Sequence, residues 1–118
     1  MARRLKDITV LRKMRELLSD PKRWTKGADA RRTKRSRNES GLSALDKDAT
    51  CWCLLGAASK CTGGVEDGYG LVALNTAILE THIGHGIISF NDSKRTRHSH
   101  VLKVLDRAIE IETQRVRA

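Results

Sequence analysis

Apolar positions along the chain fall into four segments of helical period, separated by polar stretches. In residues 4–19, Ile8, Leu11, Met14, Leu17 and Leu18, with Leu5 behind them, recur at steps of three and four, and the charges take the other face. The spacing predicts an amphipathic helix that Ser19-Asp20-Pro21 ends, because proline disfavours helix in the residue before it. Residues 49–62 are apolar nearly all round. They predict a central, buried helix with Asp48 as N-cap, small Gly56, Ala57 and Ala58 for close approach, and Gly63-Gly64 as the stop. Residues 67–83 predict a third helix, with Leu71, Leu74, Ile78 and His82 on one stripe, Val72 and Leu79 widening it, and Gly84 and Gly86 closing it. Residues 97–114 predict the last, with Val101, Leu102, Leu105, Ala108 and Ile109 inward, Asp106 and Arg107 outward, and Thr96 as N-cap. The short run Ile87-Ile88-Ser89-Phe90 reads as a strand or a buried connector, and Asn91-Asp92-Ser93 as a turn.

Residues 22–50 carry no helical period. Gly27 and the cluster Asn38 to Gly41 are turn signals, so this stretch reads as a basic β-hairpin with Trp24 anchoring its base, or as an irregular flap that orders on binding. The expected fold class is therefore mainly α, with α+β as the alternative. It is a small four-helix domain around the helix 49–62, with a basic hairpin or flap, in one domain over residues 1–118. That domain divides into an amphipathic helix (1–20), a basic flap (21–47) and a helical body (48–118). Only four aromatic residues, Trp24, Trp52, Tyr69 and Phe90, are present, so Leu, Ile, Val and Ala must fill the core. That scarcity also argues against a stacking platform for single strands.

Charge changes the picture more than composition does. The formal net charge is +9, unevenly spread. Residues 1–40 hold 14 Lys/Arg against 5 Asp/Glu, residues 41–92 hold 2 against 6, and residues 93–118 hold 7 against 3. Lys22 to Arg37 contains eight bases and one acid, Asp29, which is too one-sided for a merely solvated surface. Arg12, Arg15, Lys22, Arg23, Lys26, Arg31, Arg32, Lys34, Arg35 and Arg37 are the candidate binding residues, because arginine forks and lysine ammoniums suit a phosphate backbone. No helix-turn-helix, zinc-finger or ribosomal signature points to base-specific reading. The expected partners are the backbone of DNA or RNA, or else an acidic host protein, and no membrane. No apolar run reaches transmembrane length, and the N-terminus lacks the apolar stretch of a signal peptide, so a cytoplasmic location is expected.

The residues that bear chemistry are fewer. Cys51, Cys53 and Cys61 with His82, His85, His98 and His100 supply atoms for zinc, but there is no CxxC pair, and no cofactor or metal is expected. Cys53 near a helix start, with His98 or His100 and Asn91 or Asp92, has the ingredients of a thiol enzyme, against which Cys-Trp-Cys-Leu-Leu reads as core. Asn91-Asp92 with Arg95-Thr96 reads as a turn plus cap, or as an anion site beside a helix N-terminus. Nothing else indicates an enzyme class.

Three segments together carry a resemblance. They are Arg23-Trp24-Thr25-Lys26-Gly27, Cys51-Trp52-Cys53-Leu54-Leu55-Gly56-Ala57, and Phe90-Asn91-Asp92 followed by Arg95-Thr96, Val101-Leu102 and Leu105 to Ile109. In their order and spacing the chain, from about Leu11 to Ile109, resembles a family of short uncharacterised proteins from bacteriophages and bacterial genomes. The resemblance implies a phage or mobile-element setting and brings no catalytic role. The expected function is that of a small accessory protein that binds nucleic acid through its basic arm. The alternatives are an inhibitor or regulator that docks on an acidic or nucleic-acid-binding surface of a host protein, and a thiol enzyme built on Cys53.

Overall fold

Leu11, Met14 and Leu18, the innermost positions of the first stripe, are fully buried, with Ile8 and Val10 close behind. The structure, a computed structural model, describes residues 2–33, 41–64 and 68–117. Helix α1 spans Ala2–Leu17 and leaves Leu5 about half exposed. Pro21 then opens a single 3-10 turn, Pro21–Arg23, capped by the Asp20 carboxylate, which accepts from the Lys22 amide at 2.9 Å.

Two short strands follow, β1 (Ala30–Arg31) and β2 (Cys51–Trp52), paired antiparallel with Ala30 opposite Trp52 and Arg31 opposite Cys51. The hairpin expected in the basic flap is therefore closed instead by a partner from the segment expected to be helical. Trp24 is buried and bridges Trp52, as the anchoring role requires, while residues 34–40 of the expected flap lie outside the described residues.

Helix α2 consequently spans only Leu54–Thr62. Its first turn was expected earlier, but the Cys53 amide donates to the Asp29 carbonyl at 3.2 Å, which keeps the chain extended up to that residue. The N-cap is Cys53 and not Asp48. The Cys53 sulfur accepts from the Gly56 amide at 3.2 Å, whereas the Asp48 carboxylate faces Arg32. Gly56 is obligatory here, because a Cβ would sit 1.8 Å from the Asp29 carbonyl oxygen. Gly63, in the left-handed region, ends the helix as expected.

Helix α3 spans Leu71–Thr81, α4 spans Ile87–Asp92 and α5 spans His98–Arg117. Among the described residues five α-helices stand where four were expected, because the short apolar run is itself helical. α1 packs on α5 and α2, α3 on α5, and α4 beneath α2 and α3. Arg15 meets Asp106 and the Leu18 carbonyl meets His98, so α1 and α5 run antiparallel. Fully buried Leu11, Met14, Leu54, Leu74, Ile78, Phe90 and Leu105 join these elements, each worth about 1.5–3 kcal/mol of burial.

Two stripes differ from the sequence pattern. On α3 the inner face is Ala73, Leu74, Ala77 and Ile78, while Val72, Leu79 and His82 are exposed, because small residues let α5 approach closely. On α5 the stripe Val101, Leu105, Ala108 continues for one further turn to a buried acid, Glu112, and Leu102 and Ile109 are only half buried.

Candidate functional site

The segment Trp24–Gly27 lies against the segment Phe90–Thr96, and buried polar side chains tie the two together. Asn91, 1% exposed, is the hub. Its Oδ1 accepts from Trp24 Nε1 at 2.8 Å and from the Leu54 amide at 3.1 Å. Its Nδ2 donates to the Thr25 carbonyl at 3.1 Å and to Asp92 Oδ1 at 2.9 Å. Asp92 in turn accepts from the Gly27 amide at 2.9 Å. The Lys26 ammonium donates to the carbonyls of Ser93 at 2.6 Å and Thr96 at 2.9 Å. One asparagine amide and one lysine thus hold the 3-10 turn, the start of α2 and the α4–α5 loop in a fixed relation.

Thr96 was expected to cap α5. It is buried instead, and its hydroxyl donates to the Phe90 carbonyl at 2.6 Å. The capping contact comes from His100, whose Nδ1 accepts from the Arg97 amide at 3.0 Å. His98 is half buried: its Nε2 donates to the Leu18 carbonyl at 2.6 Å, and its ring lies 6.2 Å from that of Trp24.

The cations sort by how they are used. Lys22 and Arg23, on the 3-10 turn, are exposed. Lys94, Arg95 and Arg97, on the α4–α5 loop, are exposed too, and the Asn91–Lys26 network brings that loop beside the turn. A cleft of about 620 Å³ between the segments is lined by Trp24, Lys26, Gly27, Arg31, Asp92 and Lys94. Arg12 is exposed on α1. Arg15 pairs with Asp106 at 2.9 Å and Arg32 with Asp48 at 3.5 Å. Half-buried Arg31 donates back to the Lys26 carbonyl from Nε at 3.3 Å and Nη2 at 3.2 Å. Lys34, Arg35 and Arg37 lie outside the described residues. Sequence reasoning missed Lys94, Arg95 and Arg97, although the positive balance of residues 93–118 already signalled them.

The Cys53 thiol lines a smaller cleft with Asp29, Asn91 and Asp92. Burial pushes its pKa up, and the nearby Asp29 and Asp92 carboxylates add to the rise, against the lowering effect of the Gly56 and Leu55 amides. The thiol is thus held protonated, and its evident work is to cap α2. Burial also raises Cys61, with Lys13 and Lys60 acting the other way. Among the described residues no group of three His, Cys, Asp or Glu side chains is arranged to hold a metal ion. No helix among them is long and apolar enough to cross a membrane.

Comparison with known sequences adds a family and no activity. The sequence profile of a family of unknown function (DUF6197) matches residues 2–111. No curated protein and no solved structure matches the chain.

Proposed function

The chain belongs to the DUF6197 family, of unknown function, and we propose from its own surface that it binds the sugar-phosphate backbone of DNA or RNA without catalysis. The observation that carries this reading is the junction itself. Two cationic segments distant in sequence, Lys22-Arg23 and Lys94-Arg95-Arg97, flank residues that a buried hydrogen-bond network ties together. A preorganised row of exposed charges loses little ordering entropy on binding, and backbone phosphates need no base-specific geometry. The basic arm adds Arg12 and, beyond the described residues, Lys34, Arg35 and Arg37. The phage or mobile-element setting and a cytoplasmic location belong to the same proposal.

The test is fluorescence anisotropy with labelled duplex DNA and duplex RNA across a salt series. Engagement of the five junction cations predicts a log–log slope of about −4 to −5 on duplex DNA. The double variant Lys94→Glu/Arg95→Glu should make the slope shallower by about 2 and weaken binding at least tenfold at low salt. No binding at low salt, or a double variant that binds like the native chain, overturns the proposal. A single host protein retained at physiological salt by a chain that ignores nucleic acid would instead establish the host-protein reading.

A further inference from the structure

Helix α3 turns an uncharged stripe to solvent. Val72 is 69% exposed and Leu79 55%, on one face about two turns apart, with exposed Asn75 and half-buried Thr76 between them. Single apolar side chains on a surface are ordinary, whereas two at this spacing make a stripe. α3 has one charged residue, Glu80, and it is turned to α5, where Arg107 holds it from Nε at 2.9 Å and from Nη2 at 3.2 Å. The stripe itself therefore carries no charge, on a chain of net charge +9. Beside it α4 is preceded by Gly86, where even a Cβ would lie 3.9 Å from Asn75 Oδ1, so no side chain overhangs the stripe from that position.

The order of side chains along the stripe reads alike from both ends: apolar Val72, polar Asn75 and Thr76, apolar Leu79. A second copy of α3 laid antiparallel across it, about a two-fold axis between Asn75 and Thr76, sets Val72 of each chain against Leu79 of the other and Asn75 of each against Thr76 of the other. The Thr76 hydroxyl donates to the Val72 carbonyl at 3.1 Å, so its oxygen is left to accept, and the Asn75 amide of the other copy brings the N–H. Two hydrogen bonds at the axis are thus flanked by an apolar contact on each side. Charge selects the same occupant. Antiparallel pairing sets the positive N-terminal end of each α3 beside the negative C-terminal end of the other, and the stripe adds no cation to the repulsion between two basic chains. We propose that this face pairs with the same face of a second copy in a weak, reversible two-fold dimer. The contact is weak because α3, with 11 residues, is only about 16 Å long, short of the roughly 800 Å² per partner that a standard interface buries. The dimer is independent of nucleic-acid binding, and it would carry two cationic junctions.

The test is sedimentation equilibrium of the full chain without nucleic acid. The average mass should rise from 13.2 kDa towards twice that value as the concentration approaches about 1 mM. Added salt should strengthen the association, because it screens the repulsion between two cationic chains, whereas phosphate binding weakens with salt. Val72→Lys and Leu79→Glu, each at an exposed position that the fold tolerates, should each weaken association about tenfold or more. The double variant Val72→Lys/Leu79→Glu should associate about tenfold more tightly than either single variant, because in the antiparallel register each introduced charge meets its opposite on the other copy. A chain that stays at 13.2 kDa up to about 1 mM, association that weakens with salt, single variants that associate like the native chain, or a double variant no tighter than the single ones overturns the proposal.

Discussion

The two ends of the antiparallel α1/α5 pair treat buried polar groups in opposite ways. At the junction end, Asn91 is as buried as any core leucine and all of its hydrogen-bonding atoms are engaged, two donors on Trp24 and Leu54 and two acceptors on Thr25 and Asp92. At the opposite end, Glu112 is 3% exposed and one of its two oxygens has no hydrogen-bond partner among the described residues. A saturated network has no valence left for a ligand, so it fixes geometry, and whatever binds there binds to what the network holds out. An unsaturated buried group is a standing cost to the fold. The junction is thus a fully satisfied scaffold, and the opposite end of the helix pair keeps an unsatisfied group.

Replacing each hub separates the two cases most sharply. Asn91→Leu removes four hydrogen bonds and leaves the Trp24 indole N–H, the Leu54 amide and the Thr25 carbonyl buried without partners, so a loss of about 3–5 kcal/mol of stability is expected in urea denaturation. Glu112→Met, measured alongside, should cost less, about 1–2 kcal/mol, because it gives up one contact with Arg115 and removes an oxygen that has no partner among the described residues. Equal losses at both positions would erase the distinction. A smaller effect belongs to Lys26. Lys26→Met keeps the stem but leaves the Ser93 and Thr96 carbonyls unserved, and about 2 kcal/mol should go with them. Nucleic-acid affinity should fall further than one lost charge explains, since the α4–α5 loop would no longer be pinned beside the 3-10 turn.

How much of this was legible follows from how local each feature is. α1, α3 and α5 are written in steps of three and four that any window of the sequence contains, and each appears within a few residues of its expected bounds. β2 was not legible. Cys51-Trp52 looks like the first turn of an apolar helix until Ala30-Arg31, about twenty residues earlier, supplies its hydrogen-bond partners. α4 failed for the same reason, since a four-residue run with three apolar positions supports strand or helix equally and only packing beneath α2 and α3 decides. The cationic arm was legible as composition, but Lys26 spends its charge on backbone carbonyls and Arg15 and Arg32 pair with surface carboxylates, while Lys94, Arg95 and Arg97 were brought in from the far end of the chain. Asn91-Asp92 read as an ordinary turn, because a buried asparagine and a turn asparagine are the same letter. Glu112 was within reach, since the stripe Val101, Leu105, Ala108 arrives at it one turn later.

Cys53 offers the smallest effect, and it tests from the junction side whether that end holds a reactive group. The thiol caps α2 through the Gly56 amide, is largely buried, and stands near two carboxylates. In the unfolded chain a cysteine ionises near pH 8.5, whereas in the fold burial holds the proton on to higher pH. The native state therefore binds more protons than the unfolded one over that window. The stability this contributes is complete below about pH 8.5 and is lost as the pH rises through the folded value. Serine keeps the capping acceptor and does not ionise. Cys53→Ser should therefore match the native protein within about 1 kcal/mol at pH 7 and overtake it above about pH 9. The raised Cys61 thiol is common to both proteins and cancels in the comparison. Iodoacetamide should alkylate half-buried Cys61 first and Cys53 only on unfolding. Rapid native labelling of Cys53, or stability curves for the two proteins that stay parallel to pH 10, would show instead a thiol poised to react, and the junction could no longer be described as a scaffold alone.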